Sequence, residues 1–286
     1  MNLARKLLAG RWFALRAGVV AGLSIAAGNV LAAAPLAPAQ SAKPGLASHK
    51  AIYELNLLKT VPGEGVRAAR GSMIYTLADR CEGYTIESNI TMDLAFSDGS
   101  VQKVDQRYAS WEAKNGRFSS FTMQTLENGK AAKTYRGTIT LKPDGSGVAT
   151  YEADKPTTFD LAPGTLLSTA HTIALLQSAA AGKTFFSSDV IDGSFDQGPF
   201  RVTATIAGSR DGTAILRKED PSAVSAGQYF PMSLAYFAAS ATKPTPEYEL
   251  GMQMLPSGIS RSMTQDFGNF TIGFKLVDLE AVKPEC

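Results

Sequence analysis

Residues 267–286 read FGNFTIGFKLVDLEAVKPEC, and their pattern decides the fold class. Apolar side chains fall on every second position, at Phe270, Ile272, Phe274 and Leu276. A strand with one buried face has this period, because successive side chains point to opposite sides of a sheet. The stretch ends on Cys286, and the one other cysteine, Cys81, lies about 200 residues upstream. A bond between the two would staple the last strand to an early one.

The chain between them carries the same alternation. SHKAIYELNLL from Ser48 sets Ala51, Tyr53, Leu55 and Leu57 on one face. VPGEGVRAARG from Val61 reads as a loop, and GSMIYTLA from Gly71 as the next strand, leading to Cys81. Beyond it Tyr84, Ile86, Ile90, Met92, Leu94 and Phe96 alternate with polar residues, the mark of a long strand with one wet face. Turn dipeptides recur at Asp98-Gly99, Asn115-Gly116, Asn128-Gly129 and Asp144-Gly145. Such pairs supply the positive φ angles of tight hairpins. Their spacings of 17, 13 and 16 residues leave strands of about ten residues or more, long for a globular sheet. An antiparallel meander of long strands must curl, because sheets twist, and closure removes exposed edges.

After Tyr151 the pattern changes. KPTTFDLAPGTLL from Lys155 holds two prolines and reads as a crossing segment. Residues 168–177 form the one clear helix, with Ser168 or Thr169 as cap, Ile173, Leu176 and Ala180 as its stripe, and Gly182 as its end. Strands resume at 185–191 and 200–206, residues 208–228 are loop-rich, and 230–237, 248–255, 259–266 and 267–282 complete the sheet. The expectation is a mainly antiparallel all-β fold of about 12–14 strands with one main helix packed against it.

The N-terminus sets the destination. Residues 1–34 carry Arg5, Lys6, Arg11 and Arg16 and no acid, then an apolar run from Ala17 to Ala27 and small residues at Ala32–Ala34. This is a secretory signal peptide, with cleavage expected between Ala32 and Ala39 and no transmembrane span after it. Residues 35–47 read as a disordered lead-in, and 48–286 as a single domain. The signal holds four of the 28 Lys and Arg residues and none of the 26 Asp and Glu, so the rest of the chain is near −2. With no basic block there, nucleic acid and anionic membrane surfaces are poor partners. Two cysteines in an exported chain favour a disulfide between Cys81 and Cys286.

Candidate sites are few. His49 and His171 are the only histidines, each read as fixing its element rather than as a catalyst. Asp192-Gly193-Ser194-Phe195-Asp196 sets two carboxylates near a turn without the oxygen ligands of a calcium loop, so turn chemistry accounts for it. Asn89-Ile90-Thr91 fits a glycosylation sequon but falls inside an expected strand. There is no nucleophile elbow, metal set or cofactor motif. Met92, Met123, Met252, Met254 and Phe274 read as core, or as the lining of an interior cavity holding a lipid-like ligand.

Several segments together resemble a known family: SHKAIYELNL from Ser48, GSMIYTLADRCEGYTIE around Cys81, LSTAHTIALLQSA from Leu167, VIDGS from Val190, YFPMSLAYF from Tyr229 and the run from Pro246 to Cys286. In this order, and with this cysteine pair, they are similar to the EipB family of periplasmic cell-envelope-integrity proteins of α-proteobacteria. The resemblance implies a spiral-like, broken β-barrel of about fourteen strands with a packed helix, a Cys81–Cys286 disulfide and a non-enzymatic role in envelope integrity under stress. It offers no catalytic residue. Through its likeness to lipoprotein carriers, the fold also implies an acyl chain or another periplasmic envelope-maintenance protein as partner.

Overall fold

The computed structural model describes residues 46–61, 63, 65–194, 198–212, 227–239 and 245–284. The expected signal peptide, most of the lead-in and Cys286 lie outside them. Within the described residues the chain forms sixteen strands and one helix. The strands are β1 (His49–Thr60), β2 (Val66–Asp79), β3 (Gly83–Phe96), β4 (Val101–Ala113), β5 (Phe118–Glu127), β6 (Lys130–Leu141), β7 (Gly147–Glu152), β8 (Thr157–Leu161) and β9 (Leu166–Leu167). Helix α1 (Ser168–Ala180) follows, then β10 (Phe185–Ile191), β11 (Phe200–Ile206), β12 (Arg210–Gly212), β13 (Gly227–Ala238), β14 (Tyr248–Met254), β15 (Ser260–Asp266) and β16 (Phe270–Ala281).

The first eight strands are a plain antiparallel meander, and β1 then pairs with β16, the last strand in sequence. From β16 the order runs back through β15, β14, β13, β11 and β10 to β9, the one parallel neighbour, while β12 pairs with β13. At the seam, Ala51, Tyr53 and Leu55 of β1 oppose Leu279, Leu276 and Phe274 of β16. All six are buried, as are Phe270 and Ile272. Each large apolar side chain so removed from water contributes about 1.5–3 kcal/mol. The alternation at Phe270, Ile272, Phe274 and Leu276 is therefore the inner face of a central strand.

The four turn dipeptides all sit at hairpin turns, but only one is a two-residue turn of left-handed residues. Asn128 and Gly129 both have positive φ, 51° and 77°. At Asp98-Gly99, Asn115-Gly116 and Asp144-Gly145 the glycine alone does. These three are longer turns in which the aspartate or asparagine carboxyl or amide oxygen accepts the backbone N–H two residues on.

Three expectations need correction. Residues 66–71 are strand, not loop, because β2 starts at Val66 and pairs with β3. The proline-bearing crossing segment holds two short strands: β8 fits between Pro156 and Pro163, and β9 precedes the helix. Leu46 and Ala47 are packed too; Leu46 is buried and Ala47 donates to the Ser257 carbonyl at 2.9 Å. Pro231 inside β13 is tolerated for a local reason. Its carbonyl faces Ala207, where β11 has ended and β12 has not begun, so no ladder bond needs its missing N–H.

Two apolar clusters show how the sheet curls. One joins Leu175, Leu176 and Ala179 of α1 to Leu77 of β2, Ile86 of β3, Val202 of β11, Leu234 of β13 and Met254 of β14. Strands far apart in the ladder meet only if the sheet wraps around the helix. The other joins Phe121, Ile139 and Tyr151 to Leu161 of β8, Leu167 of β9 and Ile191 of β10. The two ends of the strand order thus share a core, linked by residues 162–165, without a ladder between them. This is a broken, spiral-like barrel.

Candidate functional site

The curl leaves a cleft of about 300 Å³ between the first turn of α1 and strands β1–β3 and β14–β16. Met73, Ile86, Ile90, Met254, Met263 and Phe274 give it an apolar lining. His49, Tyr75, Ser88, Ser168, Thr169 and Thr172 add polar groups. Larger depressions of about 510 and 680 Å³ lie on the outer face of the sheet. Those carry the charged side chains of the wet face, such as Arg136, whose Nε donates to Glu152 at 2.8 Å. A concave, mostly apolar site with a few polar groups suits a small ligand, and of these three the interior cleft has that character.

The position of α1 depends on a residue that sequence reasoning missed. Neither Ser168 nor Thr169 caps the helix; its N-cap position is Leu167, with no side-chain cap bond. Glu112 of β4 does this work from 57 residues away. One carboxylate oxygen accepts the Thr169 N–H at 3.0 Å. The other accepts the Ala170 N–H at 3.1 Å and the Thr169 hydroxyl. A helix N-terminus presents unpaired N–H groups and positive potential, so a carboxylate is a fitting partner. Glu112 is 2% exposed. Burial pushes its pKa up, opposed by the bonds from Thr169 and Ala170. The phenol of Tyr75, on the cleft wall, faces it electrostatically.

The helix stripe also differs from expectation. Leu176 is buried, but Ile173 is only half-buried and Ala180 exposed; the inner face is Thr169, His171, Leu175, Leu176, Ser178 and Ala179. Gly182, with φ of 71°, does end the helix: Gly182 N–H donates to Ala179 and Lys183 N–H to Ser178.

Both histidines are interior. His49 lines the cleft 5.6 Å from the Tyr75 ring, with Nδ1 2.7 Å from the Ala47 carbonyl. Burial lowers its pKa. His171 lies against Phe186, and burial lowers its pKa to about 4. Among the described residues its Nε2 has no hydrogen-bond partner.

Asp192 behaves as a turn residue: its carboxylate accepts the Ser194 N–H at 2.8 Å and hydroxyl at 2.7 Å. This turn lies inside the sheet. The Tyr108 hydroxyl donates to the Asp192 carbonyl and that of Tyr135 to the Ser194 carbonyl. A Cβ on Gly193 would lie 2.4 Å from the Phe121 ring. Phe195 and Asp196 lie outside the described residues. No group of His, Cys, Asp and Glu among the described residues is arranged to hold a metal ion. Of the apolar residues read as cavity lining, Met254 and Phe274 line the cleft, whereas Met123 belongs to the second cluster and Met252 packs against the first. Met92 is half-buried and lines neither.

Cys81 occupies the tight turn from β2 to β3 with φ of 61°, uncommon for a residue with a side chain. Its N–H donates to Asp79 at 3.0 Å, and Asp79 also pairs with Lys114 at 2.6 Å. Ser48 connects this turn to the other edge of the seam. Its hydroxyl accepts the Asp79 N–H and its carbonyl the Val282 N–H, at 2.8 and 3.1 Å. No helix among the described residues is long and apolar enough to cross a membrane.

Comparison with known proteins gives three concordant results. The family profile described as EipB-like matches residues 40–283. The cell envelope integrity protein EipB of Brucella abortus (strain 2308) is 28% identical over 242 residues, covering 82% of this chain and 84% of its own. The crystal structure of a β-barrel-like protein of the domain of unknown function DUF1849, from Brucella abortus, superposes with a TM-score of 0.75. It is 26% identical, over 83% of this chain and 99% of that one.

Proposed function

The chain belongs to the EipB-like family, and on that premise we propose that it is a non-enzymatic periplasmic protein that supports cell-envelope integrity and resistance to envelope stress. The observation that carries this reading is the extent of the likeness. The named envelope-integrity relative aligns over more than four-fifths of both chains, so the likeness extends well beyond any single segment. The basic, then apolar, N-terminus supports export, and other envelope-maintenance proteins of the periplasm are the natural partners. Deleting the gene is expected to raise sensitivity to detergents and cell-wall-active drugs. Unchanged sensitivity to both would count against the role.

A Cys81–Cys286 disulfide is part of the same proposal. Val282 and Asp79 both hydrogen-bond to Ser48, and Cys81 lies two residues from Asp79. Four residues from Val282 to Cys286 span up to about 14 Å, more than the roughly 10 Å separating strands on either side of a shared neighbour.

The interior cleft favours a second reading, as a carrier or sensor of an amphiphile. Its volume holds about ten water-sized groups, enough for part of a single chain rather than a two-chain lipid. Native mass spectrometry of protein purified from its own periplasm tests this. A co-purifying amphiphile is expected, and protein that is ligand-free under gentle conditions would remove this reading.

A further inference from the structure

We propose that Glu112 is a latch that holds the first turn of α1 as the movable wall of the interior cleft, so that this one contact sets access to the cleft. This rests on the reading of the cleft as an amphiphile site. Ser168 and Thr169 of that first turn and Thr172 just after it line the cleft, and Glu112 grips two of the turn's N–H groups and one hydroxyl from β4. Both oxygens of the carboxylate accept, so it is an oriented clamp on the helix rather than a single pin.

Besides Glu112, this end of α1 is held by Leu167, buried in the second cluster, and by His171 against Phe186, but by no other side-chain hydrogen bond to its free N–H groups among the described residues. The strand before it, β9, is two residues long and pairs with β10 through Leu166–Val190 and Leu167–Ile191 alone. Beyond the helix, Gly182 turns the chain in a left-handed conformation. The fully buried apolar contacts of α1 with the first cluster come from Leu175, Leu176 and Ala179, in its second half, and ahead of them only the half-buried Ile173 packs against it. On the first half, the buried positions are Thr169 and His171, which dock less firmly in an apolar core than aliphatic side chains do. An element with a short ladder and few apolar contacts opens before the sheet that surrounds it. Glu112 is the contact that opposes that opening at the cleft, and it acts as a positioning residue.

The test compares hydrogen–deuterium exchange of the full oxidised protein with Glu112→Gln and Thr169→Val, alongside binding of the apolar probe N-phenyl-1-naphthylamine. In Glu112→Gln one acceptor becomes a donor facing donors, so the amides of Thr169 and Ala170 are expected to exchange at least tenfold faster. Amides of β5–β7 should keep their rates, and the probe's Kd should change at least threefold. Thr169→Val, which loses only the hydroxyl, should give a smaller change in the same direction. Unchanged exchange at Thr169 and Ala170 would overturn the latch. So would acceleration by the same factor throughout the sheet, since Glu112 would then serve global stability only. A loosened helix turn with unchanged probe affinity would overturn the coupling to the cleft. If the wild-type protein takes up no probe, the amphiphile reading fails, and the exchange rates alone decide whether Glu112 holds the helix.

Discussion

His171 shows how a buried residue turns its surroundings into a dependence on pH. It is 5% exposed, and burial lowers its pKa to about 4 from 6.5. The folded protein therefore keeps it neutral where the unfolded chain takes up a proton. The resulting stability is complete above pH 6.5 and is lost as pH falls from 6.5 towards 4. That lowering corresponds to up to about 3 kcal/mol. Glu112 and Asp192 act in the opposite sense, since burial raises both; a carboxyl raised in the fold sheds stability as pH rises through the interval above its ordinary value. A difference measurement separates them. The stability of wild type relative to His171→Leu should fall by up to about 3 kcal/mol between pH 7 and pH 4 in urea unfolding. A pH-independent difference would contradict the assignment. At this scale the sequence was only partly legible. Asp192 stood out as a turn residue, which it is, whereas His171, read as a residue that fixes its element, has no hydrogen-bond partner at Nε2 among the described residues. Glu112 did not stand out, because the more buried side of β4 mixes Val104 and Tyr108 with Gln102, Gln106 and Ser110, and nothing local marks it as the partner of a helix 57 residues on.

Elements were easier to read wherever one face of a strand is dry. The alternations of β1, β3 and β16 were visible because core and solvent lie on opposite sides, and β10 and β11 start and stop where their apolar residues do. β8 and β9 were hidden because Pro156 and Pro163 flank a run too short to show a period. The first residues of β2 carry Arg67 and Arg70 on an exposed face, which reads as loop. The helix cap was misplaced because a good local candidate, Ser168, lost to a distant carboxylate. The seam between β1 and β16 is the element-scale feature on which the barrel depends, and the proposed disulfide closes its end. In a loop-entropy description a bridge spanning so long a loop stabilises by up to about 5 kcal/mol. With roughly 2–4 °C per kcal/mol for a domain of this size, Cys81→Ser is expected to lower Tm by on the order of 10 °C relative to the oxidised protein. Equal Tm for the two, or no effect of reductant on wild type, would show that the seam holds without the bond.

At the largest scale, the described residues from 46 onward form a sheet wound around its own helix. Its first and last strands pair, its two ladder ends share a core, and an apolar cleft remains beside the helix. The winding was legible in outline, since long antiparallel strands must curl. Which strands meet was not, because the closing contacts join residues far apart in sequence and carry no local signal. The proposed envelope role rests on the likeness of residues 40–283 to one family, whose named relative is an envelope-integrity protein. The most direct measurement is complementation of a deletion strain challenged with detergent. The full chain should restore growth, and residues 35–286 alone, made without the basic and apolar N-terminus, should not. Equal restoration by both would mean that the protein acts without export and would contradict a role in the periplasm.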